Sequence, residues 1–204
     1  MKEITIFGGG GHCYALVALI RATNEYKPVI VLDKQPSEKD ILGVPVEKRK
    51  GRSPITTPAA IAIGNNAIRK KIAETLTGAC PSFVHDTAMV YSSARIGKGV
   101  QVLPNAVVDA AVVLGDFTIV NNNATVSHNT VVENFCHIAI NAAVSGGCTI
   151  GEGTLVGAGS VILPEITIGK WVTIGAGAVV IEHVPDGATV VGNPARIIKK
   201  THEL

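Results

Sequence analysis

Aliphatic residues recur every six positions through the second half of the chain, with no break from Val84 to Val180. The side chain four positions after each of them is usually small, most often Ala, Thr, Ser or Cys. A period of six is neither the 3.6 of an α-helix nor the alternation of a β-strand. It predicts a triangular coil in which three short strands and three corners use roughly eighteen residues. The aliphatic positions are Val84, Val90, Ile96, Val102, Val108, Leu114, Val120, Val126, Val132, Ile138, Val144, Ile150, Val156, Ile162, Ile168, Ile174 and Val180.

Stacked coils of this kind form a parallel β-helix whose neighbouring strands lie about 4.8 Å apart. A sandwich of many short strands is the alternative, but it would need turns of variable length. The general rule for parallel crossovers favours a right-handed connection, so the period alone does not predict a left-handed coil. The segment that begins at Val184 contains the Pro and Gly residues needed to leave the coil and then cover its end.

The first third of the chain has a different pattern, in which short apolar runs alternate with helix-compatible segments. This βαβ-type alternation predicts a small Rossmann-like α/β domain over residues 1–80, followed by the β-helix over residues 81–204. The predicted elements are strands at 2–7, 28–32 and 59–63, a glycine run at 8–11, and helices at 12–22 and 67–76.

Composition and charge narrow the classes of function. The formal net charge is +2, which gives no reason to expect binding to nucleic acid or to an anionic membrane. The four cysteines form no CxxC pair and no cluster with zinc spacing, so neither a disulfide framework nor a metal site is expected. No long apolar stretch predicts a leader peptide or a membrane span, and the cytoplasm is therefore the expected compartment.

A glycine turn follows the first predicted strand. Such a turn lets backbone N–H groups approach a phosphate at the start of a helix. Gly8 and Gly10 fit the dinucleotide-binding fingerprint, but Cys13 stands at its third glycine position. Asp33 ends the second strand, where such folds usually contact a ribose or a base. Taken alone, these residues fit a tight turn as well as they fit a nucleotide site.

Together the two halves resemble the NeuD/PglD family of sugar O- and N-acetyltransferases. The matching motifs are FGGGGH at 7–12, LD at 32–33, AIGNNAIRKKI at 62–72, VSHNTVVENFCHIAINAAVSGG at 126–147 and GNPARII at 192–198. The resemblance implies a left-handed β-helix, acetyl-CoA as co-substrate, no metal, and a homotrimer with active sites between neighbouring β-helices.

The resemblance also implies catalytic roles. His128 would take the proton of the attacking amine, work to which histidine is suited at neutral pH. Asn129 stands where the family commonly has Glu or Asp, and a neutral amide stabilises an imidazolium less than a carboxylate does. The backbone N–H of Gly146 would stabilise the negative charge that develops on the thioester oxygen.

Further residues match the binding positions of the family. His137, Gly146, Ala158 and Ala176 match contacts to acetyl-CoA. Lys34 stands where a second acid is common, so the identity of the nucleotide base stays open. The positions that match the nucleotide-sugar site are Gly10, Gly11, His12, Asp33, Lys34, Gly64 and Asn65.

The resulting hypothesis is an acetyl-CoA-dependent N-acetyltransferase that acts on a nucleotide-activated amino sugar, of the UDP-4-amino-sugar type, in bacterial glycan biosynthesis. O-acetylation of sialic acid or a related sugar is the alternative within the same family. A non-catalytic β-helix protein that binds nucleotide sugars is a further alternative. A γ-type carbonic anhydrase would need three histidines around zinc, and the spacing of His128 and His137 does not fit that arrangement.

Overall fold

The computed structural model describes residues 1–49 and 58–200 of the chain, so the last four residues of the predicted second domain lie outside it. The first part is an α/β unit. Its elements are β1 (Lys2–Phe7), α1 (Gly11–Thr23), β2 (Tyr26–Asp33), β3 (Asp40–Ile41), β4 (Val44–Lys48), β5 (Ala59–Ile61) and α2 (Asn66–Ala73).

The strands of this unit form one sheet in the order β3-β4-β2-β1-β5. All of its pairs are parallel except β3 with β4. The carboxyl ends of β1, β2 and β5 therefore meet at one edge, next to the glycine run. The sequence did not predict β3 and β4, which are two and five residues long. Their turn places both Leu42 and Gly43 at positive φ, a tight hairpin geometry whose signal is weak when the first residue is Leu.

The second part is a parallel β-helix whose coil strands are each two residues long. They form three sheets, one on each face of the coil. The first sheet contains β7 (Met89–Val90), β10 (Val107–Val108), β13 (Thr125–Val126), β16 (Ala143–Val144), β19 (Val161–Ile162) and β22 (Val179–Val180). The second contains β8 (Arg95–Ile96), β11 (Val113–Leu114), β14 (Val131–Val132), β17 (Thr149–Ile150) and β20 (Thr167–Ile168). The third contains β6 (Phe83–Val84), β9 (Gln101–Val102), β12 (Ile119–Val120), β15 (His137–Ile138), β18 (Leu155–Val156), β21 (Thr173–Ile174), β23 (Ala188–Val191) and β24 (Arg196–Lys200).

The hexapeptide period sets the register of the coil. Val108 pairs with Val126, and Val126 pairs with Val144, so successive coils are offset by three repeats. Every aliphatic repeat position from Val102 to Val180 is at most 2% exposed. The first coil is more open, because Val84, Val90 and Ile96 are only partly buried. The predicted α/β unit followed by a parallel β-helix is thus confirmed.

One corner position has a fixed backbone requirement. The residue three places after each interior aliphatic side chain commonly has a positive φ, as in Asn105, Asn123, Asn129 and Asn141. Asn tolerates this left-handed conformation better than other residues that carry a side chain, apart from Asp. Several other corners use Gly at the same position, for example Gly147 and Gly153.

The segment after Val184 extends the third sheet. Strand β23 runs parallel to β21, and β24 returns antiparallel to β23. Between these two strands, Ala195 packs against the aliphatic interior, and its backbone N–H donates to the carbonyl of Val179. The chain thus turns back onto its own coil after Pro185.

The outer face of the third sheet packs against the α/β unit. Phe83, Leu103 and Ile119 join a buried cluster that contains Leu16 and Leu19 of α1. The predicted boundary at residue 80 falls between α2 and β6 and stays a prediction. Because apolar contacts cross it, the two units bury side chains in common and are held against each other.

Candidate active site

The candidate base, His128, lies at the corner between β13 and β14 and is exposed. Its Nδ1 atom is 3.0 Å from Oδ1 of Asn129. An amide oxygen can only accept a hydrogen bond, so Nδ1 carries the proton in this arrangement. Nε2 then has a free lone pair, which is the state that a general base needs.

Asn129 has a second role beside that of orienting the ring. It occupies the corner position that requires positive φ, with φ of 59°, and Asn recurs there at Asn105, Asn123 and Asn141. Asn129, which departs from the common family pattern, therefore adopts the positive φ of this corner and also accepts the hydrogen bond of His128.

Asn129→Asp is expected to preserve or raise kcat for acetyl transfer, because Asp keeps the acceptor, tolerates positive φ and adds charge that stabilises the imidazolium. The measurement is steady-state release of CoA. Asn123→Asp is the matched control, since Asn123 has the same backbone conformation and lies at another corner. A large fall in kcat for Asn129→Asp alone would show that the amide N–H₂ group is needed.

Gly146 lies one coil beyond His128 and supports its ring. A Cβ atom at Gly146 would lie 2.5 Å from Cε1 and 2.7 Å from Nε2 of His128. The ring therefore rests directly on the backbone at this glycine. No backbone hydrogen bond from the Gly146 N–H occurs within the described residues, so this donor is open to a ligand.

Gly146→Ala is expected to lower kcat about tenfold or more, because the new methyl group displaces the ring of His128 from its position. The melting temperature should change little, since the ring is exposed and can rotate away. The kinetic assay and thermal unfolding are measured on the same preparation. An unchanged kcat would show that the ring does not need its position above residue 146.

His137 lies on the outer face of β15, next to the α/β unit. Its Nε2 atom is 3.1 Å from Nδ2 of Asn121, whose Oδ1 already accepts from the N–H of Asn122. Nε2 therefore accepts, so the other ring nitrogen carries the proton; the nearby backbone of Gly64 raises the pKa of the ring but is outweighed by burial. Burial, together with the charge of Arg69, lowers the pKa of His137 to about 4. His137 is neutral at pH 7, and its role towards acetyl-CoA stays a prediction.

The glycine run and His137 meet at one place. Gly10 is the N-cap of α1 and Gly11 is its first residue, so His12 stands in the first turn of that helix. The ring of His12 lies 6.4 Å from that of His137, measured between centroids. A predicted nucleotide-sugar residue and a predicted acetyl-CoA residue are thus neighbours. Asn65 lies close by, where it caps α2 by accepting from the N–H of Ile68.

A cleft of about 560 Å³ opens at the carboxyl ends of the strands, against α2. Both oxygens of Asp33 accept backbone N–H groups, from Gly9 and from Gln35, each at 2.7 Å. Asp33 therefore holds the glycine run in place as well as facing the cleft. The lining residues are Phe7, Gly8, Leu32, Asp33, Lys34, Arg49, Ile63, Ile68, Lys71, Ile72 and Thr75.

Sequence reasoning missed two cations of this cleft. The guanidinium of Arg49 lies 4.9 Å from the ring centroid of Phe7 and donates to Oγ1 of Thr75 at 3.0 Å. Lys71 lines the cleft from α2. Cationic side chains on apolar walls suit a nucleotide, which has an aromatic base and an anionic phosphate. No sequence motif marks Arg49, because it follows β4, a strand that was not predicted.

Arg69 lies in the predicted second helix, and although it is charged it is fully buried. Its guanidinium donates to the carbonyls of Phe117, Phe135 and Cys136 of the β-helix. It also donates to the carbonyls of Ile63 and Gly64 and to Oδ1 of Asn66. Burial lowers the pKa of Arg69 to about 10, so the group is still charged at neutral pH.

One chain does not bring all the predicted residues together. His128 and Gly146 lie at corners between the first and second sheets. Ala158 and Ala176 are exposed, at corners between the third and first sheets. His12 contacts the third sheet, which is opposite the corner of His128 in a triangular coil. The base and the nucleotide-sugar loop therefore face different directions.

Comparisons with known proteins agree with this architecture. A family model described as the PglD N-terminal domain matches residues 3–76, and the bacterial transferase hexapeptide model matches residues 129–164 and 150–182. The acetyltransferase domain of PglB from Neisseria gonorrhoeae FA1090 is 36% identical, with a TM-score of 0.90 over 97% of this chain and 100% of that chain. The chain belongs to the NeuD/PglD family of acetyl-CoA-dependent sugar acetyltransferases.

Other members of the family carry ligands. The Neisseria domain has also been solved in complex with acetyl coenzyme A. PerB from Caulobacter crescentus was solved with CoA and GDP-perosamine; it is 30% identical, has a TM-score of 0.89, and covers 98% of each chain. The family resemblance confirms the left-handed β-helix and acetyl-CoA as the co-substrate.

A curated relative has a narrower match. UDP-N-acetylbacillosamine N-acetyltransferase of Bacillus subtilis (strain 168) is 34% identical over 112 residues. That alignment spans 50% of this chain and 52% of the relative, about half the length of each.

Within residues 1–49 and 58–200, neither helix is long and apolar enough to cross a membrane. The same residues contain no group of three or more metal-binding side chains.

Proposed function

We propose that this chain transfers the acetyl group of acetyl-CoA to the amine of a nucleotide-activated amino sugar. The observation that carries the proposal is the pairing of His128 with Gly146. The first offers a free ring nitrogen, and the second offers an open backbone N–H beside it. A base and an oxyanion donor side by side are what acyl transfer to an amine requires.

The reaction follows from these groups. The amine nitrogen attacks the thioester carbonyl carbon while Nε2 of His128 takes one of its protons. The hydrogen bond from Nδ1–H to Asn129 keeps the ring oriented as it becomes positive. The N–H of Gly146 donates to the tetrahedral oxyanion. The C–S bond then breaks, the new C–N bond stays, and the proton passes to the departing CoA thiolate.

Direct attack in a ternary complex fits better than an acyl-enzyme. Cys136 and Cys148 point into the coil and are buried. Burial raises the pKa of Cys136 to about 12 and also raises the pKa of Cys148. A buried thiol in this state is a poor nucleophile. Cys13 is likewise buried, and its pKa is raised to about 12.

Assembly as a homotrimer is part of the proposal. In a single chain His128 faces away from His12 and His137, so one substrate cannot contact all three. A neighbouring copy that packs beside the first would supply His128 to the junction of His12 and His137. Exposed apolar side chains on the outside of the coil support such packing, among them Val131 at 38% and Ile140 at 46% exposure.

UDP is the nucleotide that we propose, in the cleft beside Asp33. A carboxylate there can accept from the ring N–H of uracil, while Lys34, Arg49 and Lys71 suit the phosphates. The name of the Bacillus relative supports a UDP-linked sugar, whereas PerB was solved with a GDP-linked one. A cytoplasmic location and a step in glycan biosynthesis accompany this proposal, because acetyl-CoA and nucleotide sugars are made inside the cell.

The test is a panel of UDP-, dTDP- and GDP-linked amino sugars, assayed for release of CoA and for binding by calorimetry. Turnover is expected with a UDP-4-amino sugar, and none with free sialic acid. Turnover of sialic acid alone would favour O-acetylation. Tight binding of a nucleotide sugar with no CoA release from any acceptor would favour the non-catalytic alternative.

A further inference from the structure

Gln101 connects the glycine run to the outer face of the β-helix. Its side chain is buried, with 2% exposure for the residue. Nε2 donates to the carbonyl of Ile61 at 2.8 Å, and Oε1 lies 2.9 Å from Nε2 of His12. A carbonyl oxygen can only accept, so the N–H₂ side of the amide must face Ile61. The amide oxygen must therefore face His12.

This contact determines which nitrogen of His12 carries the proton. An amide oxygen only accepts, so Nε2 is protonated. Burial lowers the pKa of His12, and the nearby charge of Arg69 lowers it further. The hydrogen bond to Gln101 raises it but is outweighed. The ring is therefore neutral at pH 7, and Nδ1 has a free lone pair. No buried side-chain nitrogen or oxygen in the described part of the chain lacks a partner. Because Nδ1 has no partner there, it reaches the surface.

The neighbouring histidine has no such free nitrogen. Nε2 of His137 accepts from Asn121, so the other nitrogen of this neutral ring carries its proton and has no lone pair to offer. The two rings are 6.4 Å apart at the junction of the glycine run with the third sheet. Of the two rings, only that of His12 presents an unpartnered acceptor at this junction.

We propose that Gln101 is a positioning residue that holds His12 as the Nε2–H tautomer, so that Nδ1 accepts a hydrogen bond from an N–H or O–H group of the amino sugar. A lone pair repels a phosphate oxygen and attracts a donor. His12 is thereby assigned to the sugar and not to the diphosphate. The kinetic consequence rests on the proposed function, whereas the tautomer is a property of the chain itself.

Nitrogen NMR of the full-length protein labelled at the histidine ring nitrogens tests the tautomer without any substrate. The signals of His12 are identified by their loss in His12→Phe. The expected pattern is a protonated Nε2 and an unprotonated Nδ1 in the wild type, with the two tautomers mixed in Gln101→Met. A protonated Nδ1 in the wild type overturns the proposal, as does an unchanged pattern in the variant.

Kinetics with an amino sugar that the wild type acetylates test the positioning role. Gln101→Met should lower kcat/KM for the sugar about tenfold and leave KM for acetyl-CoA unchanged. A purely structural Gln101 would instead change both KM values, which would overturn the role.

Binding of UDP alone tests whether His12 contacts the sugar or the phosphates. In His12→Phe the affinity for UDP should be unchanged while turnover of the amino sugar falls. A parallel fall in UDP affinity would place the ring at the diphosphate and overturn the assignment. If the wild type acetylates no nucleotide sugar, the proposed function and the kinetic role fail together, and the NMR pattern still decides the tautomer.

Discussion

His128→Ala is expected to lower kcat for acetyl transfer by about 10²–10⁴-fold, the usual contribution of a positioned acid–base group. An amine that keeps its proton cannot attack the thioester, and His128 supplies the ring nitrogen that lies against Gly146. Because the side chain is exposed, the fold should be unaffected. Steady-state CoA release and the melting temperature are measured together.

His128→Asn is the matched variant, since it keeps a polar side chain and cannot take the proton at neutral pH. It should be as inactive as the Ala variant. Refolding a mixture of His128→Ala and His12→Ala chains should restore part of the activity, because in the proposed trimer the two residues come from different copies. Full activity of His128→Ala would reject this residue as the base, and a mixture that recovers nothing would reject the shared site.

Arg69→Met is expected to cost at least about 3 kcal/mol of unfolding free energy, because it leaves several buried acceptors without a donor. The three β-helix carbonyls of Phe117, Phe135 and Cys136 accept from this one side chain. Methionine fills much of the same volume, so the cost reports the hydrogen bonds and not a cavity. Urea unfolding followed by fluorescence of Trp171, the only tryptophan, gives the measurement.

Trp171 is a suitable probe, since Lys70 of α2 lies 5.5 Å from its ring and α2 also carries Arg69. Arg21→Met is the control, because Arg21 is exposed and donates a single hydrogen bond, to the carbonyl of Leu42. It should change stability by less than about 0.5 kcal/mol. A similarly small loss in Arg69→Met would mean that the desolvation of the buried guanidinium cancels its hydrogen bonds.

The β-helix could be predicted almost residue by residue, because each repeat makes its own contribution to one interior. Val126 and Val144 lie in equivalent positions of successive coils, and burial selects an aliphatic side chain at each of them. The same period places His128 and Gly146 one coil apart, which allowed the base and the oxyanion donor to be paired before the structure was known. Their roles stay predictions until variants are assayed.

The nucleotide cleft was predictable only in part. Asp33 was placed correctly at the end of β2, since strand ends follow from the local apolar pattern. Arg49 was missed because it follows β4, a short strand with a proline and little hydrophobic signal. Its contact with Phe7 depends on the pairing of β2 with β4, which no local pattern encodes.

Asn129 has a role in the backbone that the sequence alone did not show. The sequence alone presented it as a weakened orienter of the base. The structure adds the requirement for positive φ at this corner, which short polar side chains meet. Asn129 meets both the backbone requirement and the need for an acceptor beside His128.

The hexapeptide repeat determines by itself that the second half of the chain is a β-helix. Each six-residue repeat supplies its own interior aliphatic side chain, and the same local pattern recurs along the whole segment. It cannot determine how the α/β unit sits on that helix. Arg69 and Phe135 are 66 residues apart, and His12 and Gln101 are 89 apart. These contacts form only where the α/β unit packs on the β-helix. A polar side chain that is buried there must have a hydrogen-bond partner. The tautomer of His12 is settled by that packing and by nothing in its own sequence neighbourhood.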